Sequence, residues 1–436
     1  MPAGEGVGLR ILIVCEHASA RFGGEAALPL HYFRVLRQRG ADVWLLTHAR
    51  TRDELSHLFP GEKRIRFIED TRLHRAMWRL GSRLPAQVAY FTTGFVSRFA
   101  TQLAQRRVAR QLVRDERIDV VHQPMPVSPR EPSMMFGLGA PVLIGPMNGG
   151  MDYPPAFRRH RGALERTLLA VGRWSAGVLN RVMPGKRRAA MLLVANRRTK
   201  QALPAGVSTR VVELVENGVD LSLWRAGSLA DDAAPAGPTR FAFVGRLVDW
   251  KAVDLLLRAF QRASRHASIA LDVIGDGVER PALERLAAEL GIVAPADDAP
   301  GVRFSGWLPQ AGCAHRLQST DVLVLPSLLE CGGAVVLEAM ALGKPVIATA
   351  WGGPLDYLDE RCGVLVAPDG GDALVQGLAD AMLRLAASPS LRREMGREGR
   401  EKVRRDHDWD VKVDRMLALY RQAVADPAMQ GFPCAC

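Results

Sequence analysis

The chain has 436 residues, with 58 Lys and Arg against 46 Asp and Glu for a formal net charge of +12. Its length exceeds one ordinary core and predicts two or three domains; apolar residues at 48% and charged ones at 24% exclude a largely disordered chain. The charge is uneven: residues 1–200 carry 33 basic and 15 acidic side chains, residues 201–436 carry 25 and 31.

No apolar run reaches the roughly 18 residues of a membrane-spanning helix. The start, MPAGEGVGLRILIVCEH, lacks the basic segment, long apolar stretch and cleavage site of a secretory signal. Six cysteines, at 15, 313, 331, 362, 434 and 436, show no metal-ligand spacing, which predicts a reducing compartment without a disulfide framework. The closing Cys434-Ala435-Cys436 does not meet the four-residue prenylation pattern and reads as a frayed tail.

In chain order, RILIVC (10–15) is a short apolar strand followed by a glycine-containing loop, His17 to Gly24. A helix over 25–39 stops at Gly40, and DVWLLT (42–47) is the next strand. Strand, loop, helix, stop and strand open a parallel sheet. A helix over 95–117 and strands IDVVHQ (118–123) and APVLIGP (140–146) continue it. Residues 155–200 mix apolar pieces with 12 basic side chains. After an Ala, Pro, Gly and Asp-rich linker (226–240), a second series begins with RFAFVG (240–245) and a helix over 251–265. ALDVIGDG (270–277), VRFSGW (302–307), DVLVLPS (321–327), KPVIAT (344–349) and GVLVAP (363–368) are its further strands. Helices are expected over 279–290 and near 334–342, 371–387, 390–404 and 409–424. The two series predict an α/β protein of two doubly wound, Rossmann-like domains with a cleft between them.

The most informative stretch is PSLLECGGAVVLEAMALGKPVIAT (326–349), where Glu330 and Glu338 bracket Gly332 and Gly333. A strand delivers the chain to Glu330, and the glycines let backbone amides approach a ligand closely. A helix then begins with its partly positive end toward the same place. Glu338, one turn inside, can accept hydrogen bonds from vicinal hydroxyls, a combination that suits a sugar nucleotide. A cap and a solvated surface acid are the bland alternatives for the two carboxylates. In FVGRLVDWKAVDLLLRAF (243–260), Arg246 leaves a strand end and Lys251 opens a helix. Two such cations can neutralise a departing diphosphate.

Gly245-Arg246 with Lys251, IGDGVERPALERLA, FSGWLP and the 326–349 stretch together resemble the donor domain of the group 1, or family 4, glycosyltransferases. The resemblance implies GT-B architecture, retention of anomeric configuration, a nucleoside diphosphate sugar as co-substrate, and no metal or other cofactor. By position it implies that Arg246 and Lys251 hold the diphosphate and that Glu330 contacts the transferred sugar. Gly332, Gly333 and Ala334 would offer amides to sugar and phosphate, Glu338 would bind the ribose, and Gly306, Trp307 and Leu308 would lie along the base. Gly245 precedes the arginine; Gly23 and Gly24 match the family's glycine loop near donor phosphate and acceptor. The implied organisation is an acceptor-binding domain over 1–222, a donor-binding domain over 223–408, and a segment over 409–436 whose helix crosses back to the first domain.

The chain departs from the family in three places. Cys331-Gly332-Gly333 stands where an aromatic often follows the first glycine, Ala252 replaces the glycine after the lysine, and Pro124 replaces an active-site histidine two residues beyond His122. His122 either reaches the site by another path or is structural. Asn148 and Gly149, at a strand's carboxyl end in IGPMNGGMDYPP, read equally as acceptor-side groups or as a turn.

The expected reaction is transfer of a sugar to a hydroxyl of a glycan or lipid-linked acceptor, in cell-surface polysaccharide or glycolipid synthesis, in the cytoplasm or at the inner face of its membrane. A GT-B epimerase or phosphorylase is the competing enzyme reading. A basic nucleic-acid-binding protein is the competing class, and no nucleic acid is expected, since the basic stretches lack interleaved stacking aromatics. The basic N-terminal half, above all residues 155–200, is expected to touch anionic membrane or else to be a solvated face.

Overall fold

The computed structural model describes residues 8–160, 175–225, 237–296 and 299–426. Part of the 155–200 stretch, most of the 226–240 linker and the tail cysteines lie outside the described residues. The chain forms two compact units, one of residues 1–150, 162–216 and 412–436, the other of residues 151–161 and 217–411. The sequence boundaries differ most at residues 151–161, which belong to the second unit although they fall inside the 1–222 span.

The first unit holds β1 (Arg10–Val14), β2 (Asp42–His48), β3 (Ile65–Ile68), β4 (Val120–Gln123), β5 (Val142–Met147), β6 (Met191–Val194) and β7 (Val211–Glu213). They pair in the order β3-β2-β1-β4-β5-β6-β7, every neighbouring pair parallel. Both faces of the inner strands are covered, so β1 and β6 are nearly continuous apolar runs, RILIV and MLLV. Helices α1 (Gly24–Gln38), α2 (Arg72–Gly81), α3 (Ala86–Phe91) and α4 (Thr93–Asp115) accompany the sheet. Ala109, Leu112 and Val113 of α4 pack into a core with Leu12, Val121, Ile144 and Leu192.

Sequence patterns mark β1, β2, β4, β5 and the long helix but no element between residues 50 and 94. The reason is chemical. β3 alternates apolar residues with Arg66, and the only buried side chain of α2 is His74. β3 is only four residues long, and the apolar residues of α2 lie mostly on its exposed side, so neither buries the apolar face that marks an element.

In the second unit, β8 (Thr239–Val244), β9 (Ile269–Ile274), β10 (Gly301–Gly306), β11 (Val322–Leu325), β12 (Val346–Thr349) and β13 (Gly363–Val366) pair in the order β10-β9-β8-β11-β12-β13, again all parallel. Helices α5 (Val253–Ser264), α6 (Arg280–Glu289), α7 (Gln310–Gln318), α8 (Ala334–Ala341), α9 (Gly371–Ala387) and α10 (Pro389–Asp406) flank them. Apart from α7, for which no helix is expected from the sequence, these agree with the expected elements to within a few residues at each end. The final described helix, α11 (Trp409–Ala425), joins the first unit from Lys412 onward. Among the described residues no helix is long and apolar enough to cross a membrane.

Candidate active site

In an open parallel sheet, ligands bind beyond the carboxyl ends of the strands. In the second unit those ends carry the sequence motifs. After β11 the chain turns through Glu330 to Gly333, whose φ of +72° starts α8. A Cβ at Gly333 would stand 3.0 Å from Cγ of Glu330, so only glycine fits without displacing that side chain. The same turn is backed by Gly352 and Gly353 after β12. The Gly353 amide donates to the Glu330 carbonyl at 2.7 Å, and Cβ atoms at Gly352 and Gly353 would meet the Glu330 and Gly332 carbonyl oxygens at 2.3 and 2.4 Å. The motifs singled out in the sequence do not include this second glycine pair. Its signal is Gly-Gly-Pro close after the strand VIAT.

Lys251 closes a short 3-10 turn after β8, and its Nζ donates to Oε2 of Glu330. Each of these two side chains is 14% exposed. The backbone reinforces the pairing: the Leu328 amide donates to the Trp250 carbonyl at 2.8 Å. Gly245 sits beneath, where a Cβ would lie 3.2 Å from the Phe243 ring and 3.9 Å from Cε of Lys251. Arg246 is exposed, with its guanidinium 5.9 Å from the Trp250 ring centroid. Lys251 and Glu330 thus neutralise each other, leaving Arg246 as the exposed cation of this turn, three residues before the exposed Asp249. Ala252 adopts φ +50°, the left-handed conformation that glycine takes more easily.

Glu338 lies in α8, half-buried, and burial pushes its carboxyl up to about 7 while a hydrogen bond from Gln310 pulls it down. Gln310 is the first residue of α7, just past Gly306, Trp307 and Leu308. Gly306 has φ +73°, and its carbonyl accepts from the Gly275 amide at 2.8 Å. Trp307 is 72% exposed and free to cover a planar ligand. The structure therefore brings Gly245, Arg246, Lys251, Glu330, the Gly332–Ala334 turn and Glu338 to neighbouring strand ends of one sheet.

The first unit treats its candidates differently. Gly23, at φ +99°, and Gly24 are exposed at the start of α1, with nothing within 4 Å of either ideal Cβ. Backbone is open to a ligand there. His122 corrects the expectation of an acceptor-side residue. It is fully buried, its Nε2 donates to the Gly145 carbonyl at 2.6 Å, and its Nδ1 accepts from the Tyr420 hydroxyl at 2.7 Å. Burial pushes it down to about 4, so the ring is neutral and both nitrogens are committed.

Asn148 and Gly149 are likewise structural. Asn148 is buried and donates to Glu216 at 2.6 Å, and its own oxygen accepts from the Thr199 hydroxyl at 3.3 Å. The Gly149 amide donates to Thr199 Oγ1 at 3.1 Å, and a Cβ there would stand 2.7 Å from Pro129. Of the two sequence readings of this turn, packing selects the structural one. Just beyond the carboxyl ends of β1 and β2 stand Glu16, His17 and Arg50, with His48 fully buried at the end of β2. Burial raises the Glu16 carboxyl, and burial together with Arg50 lowers both histidines to about 4. The signal is the run Cys15-Glu16-His17 directly after an apolar strand.

Residues 229–402 match the family model described as glycosyl transferases group 1. The D-inositol 3-phosphate glycosyltransferase of Saccharomonospora viridis is 37% identical over 231 residues, covering 49% of this chain and 51% of that protein. The enzyme of the same name from Kribbella flavida is 33% identical over 239 residues, covering 52% and 54%. The chain thus spans about half the length of the curated relatives it matches. Among solved structures, the UDP-forming alpha,alpha-trehalose-phosphate synthase of Burkholderia vietnamiensis matches with a TM-score of 0.66 at 15% identity over 97% of this chain and 99% of that one. Anabaena HepE, solved with UDP, matches with 0.62 at 14% identity over 95% and 100%. Likenesses at such low identity establish the fold, which is GT-B.

Proposed function

We propose that this protein is a retaining glycosyltransferase that moves a sugar from a nucleoside diphosphate sugar to an acceptor hydroxyl. The observation that carries this reading is the convergence of Arg246, the Lys251–Glu330 pair, the glycine turn opening α8 and Glu338 on one sheet edge. Arg246 and Lys251 oppose the negative charge that develops on the diphosphate as its bond to the sugar breaks. The amides at the start of α8 add fixed partial positive charge. With these groups the reading calls for no divalent metal. Glu330 holds Lys251 in place and meets the sugar; Glu338 takes the ribose hydroxyls, and Trp307 lies by the base. The acceptor oxygen bonds to the anomeric carbon, the bond to the diphosphate oxygen breaks, and that oxygen accepts the acceptor's proton.

For the acceptor, the names of the curated relatives favour a phosphorylated polyol, and the basic first unit suits any anionic acceptor. A glycan or lipid-linked acceptor at the cytoplasmic face of a membrane is the alternative the charge also supports.

Thermal shifts with a panel of sugar nucleotides test the donor, since a ligand of the folded state raises Tm by mass action. Radiolabel transfer to phosphorylated polyols and to lipid-linked glycans then separates the acceptors. Lys251→Ala is expected to lower kcat by about 100-fold or more, the size of loss seen when a transition-state charge partner is removed. Wild-type turnover in that variant would end the assignment.

A further inference from the structure

The strongest feature outside the donor site is the surface of α2 and α3. Six large apolar side chains exposed between residues 73 and 91, Leu73, Trp78, Leu80, Leu84, Tyr90 and Phe91, belong to this short stretch, with Trp78 74% exposed. Single exposed apolar residues are ordinary, but a cluster of this size marks an interaction surface. Arg72, Arg75, Arg79 and Arg83 are interleaved with it and exposed. Among the described residues no carboxylate pairs with any of the four. From residue 71 to 114 the chain has nine arginines and no acid. On α2 the arginines at i, i+3 and i+7 form one stripe, with Leu73 and Leu80 on one flank and Trp78 on the other.

We propose that α2 and α3 dock this protein on an anionic lipid bilayer, with Trp78, Leu80 and Phe91 entering the interface and the arginine stripe meeting lipid phosphates. Interleaved leucine, aromatic and arginine side chains are the composition of a helix lying in the interfacial plane. Two other occupants fit less well. In a two-fold contact with a second copy, the unpaired arginines would confront their own equivalents. Nucleic acid would leave Leu73, Leu80 and Leu84 without a matching apolar partner. Beside this surface, a depression of about 760 Å³ is lined by Arg75, Trp78, Arg79, Tyr90 and Arg98, and it also reaches Arg50 and Asp70, just beyond the carboxyl ends of β2 and β3. Docking here would bring the ligand-binding edge of the first sheet close to lipid headgroups. The basic stretch over 155–200, where the sequence places membrane contact, is not needed for it.

The test is co-sedimentation of the full chain with phosphatidylcholine vesicles, with and without phosphatidylglycerol. Binding is expected only or mainly with phosphatidylglycerol. Arg75→Gln with Arg79→Gln is expected to weaken it by about thirty-fold, the loss of two basic contacts at an anionic surface. Trp78→Ser with Leu80→Ser is expected to weaken it at every salt concentration, since the apolar contribution is not screened. The same loss of charge on α10, Arg393→Gln with Arg397→Gln, is expected to leave binding unchanged. All these positions are exposed, and an unaltered Tm checks the fold. Three results would each overturn the proposal: no vesicle binding by the wild type, undiminished binding by both α2 variants, or a solution dimer that those variants dissociate. Thermal stabilisation by sugar nucleotides, measured on the same variants, reports the donor site separately, so neither reading stands or falls with the other.

Discussion

His122 shows how the environment of one side chain overrides its chemical reputation. An exposed histidine at a strand end can move protons near neutral pH. Here both ring nitrogens are tied inside the core, to Gly145 and Tyr420. His122→Phe strands a buried carbonyl and a buried hydroxyl, and is expected to cost about 2–4 kcal/mol of stability while leaving donor binding intact; urea unfolding and nucleotide titration check the two halves. The pH dependence has a definite sign. The folded ring titrates at about 4 and the unfolded one near 6.5, so between those values only the unfolded chain takes up the proton. The stabilisation is complete above about pH 6.5 and declines toward pH 4, by at most about 1.4 kcal/mol per pH unit. The stability gap between wild type and His122→Phe should therefore narrow as pH falls through that window. A constant gap would mean that the ring titrates alike in the folded and unfolded chains.

At the scale of elements, the second unit works through glycine-backed turns. The turn that opens α8 is shaped by Gly333 at φ +72° and pressed from behind by Gly352 and Gly353. Gly333→Ala is expected to cost about 1–2 kcal/mol from the left-handed backbone alone. Because its methyl would crowd Glu330, the pair with Lys251 should shift and nucleotide affinity fall at least ten-fold. Equal affinity in a variant of reduced Tm would separate the helix start from the site. The motif strings are legible here because each residue meets a local need, whether a turn, a close approach or a charge at a helix end. Helices α2 and α3 are not legible, since their amphipathic pattern points outward and only His74 of α2 reaches the interior.

For the whole molecule, the division of chemistry follows the division of charge. The donor candidates of the second sheet all belong to the unit formed by residues 151–161 and 217–411, while the excess of arginine belongs to the other. If the proposed function holds, hydrogen exchange on the full chain is expected to show the sugar nucleotide that stabilises it protecting amides in 245–252, 306–310 and 328–338 and leaving 120–123 unchanged. Protection centred on β4 instead would return His122 and its neighbours to the ligand site.

Sequence alone determined the two α/β series with their parallel sheets and singled out the residues proposed to hold the donor. Those depend on apolar period and on residues whose backbone needs are local, which one chain displays directly. It could not determine which polar residues are spent on the interior. Asn148 and His122 look as available as Arg246 until packing decides that the first two are enclosed and satisfied and the third is exposed. Nor could it pair Lys251 with Glu330 across 79 positions, or show that the arginines of α2 lack carboxylate partners among the described residues. Burial and partnership are properties of the folded surface, and tertiary structure alone assigns them.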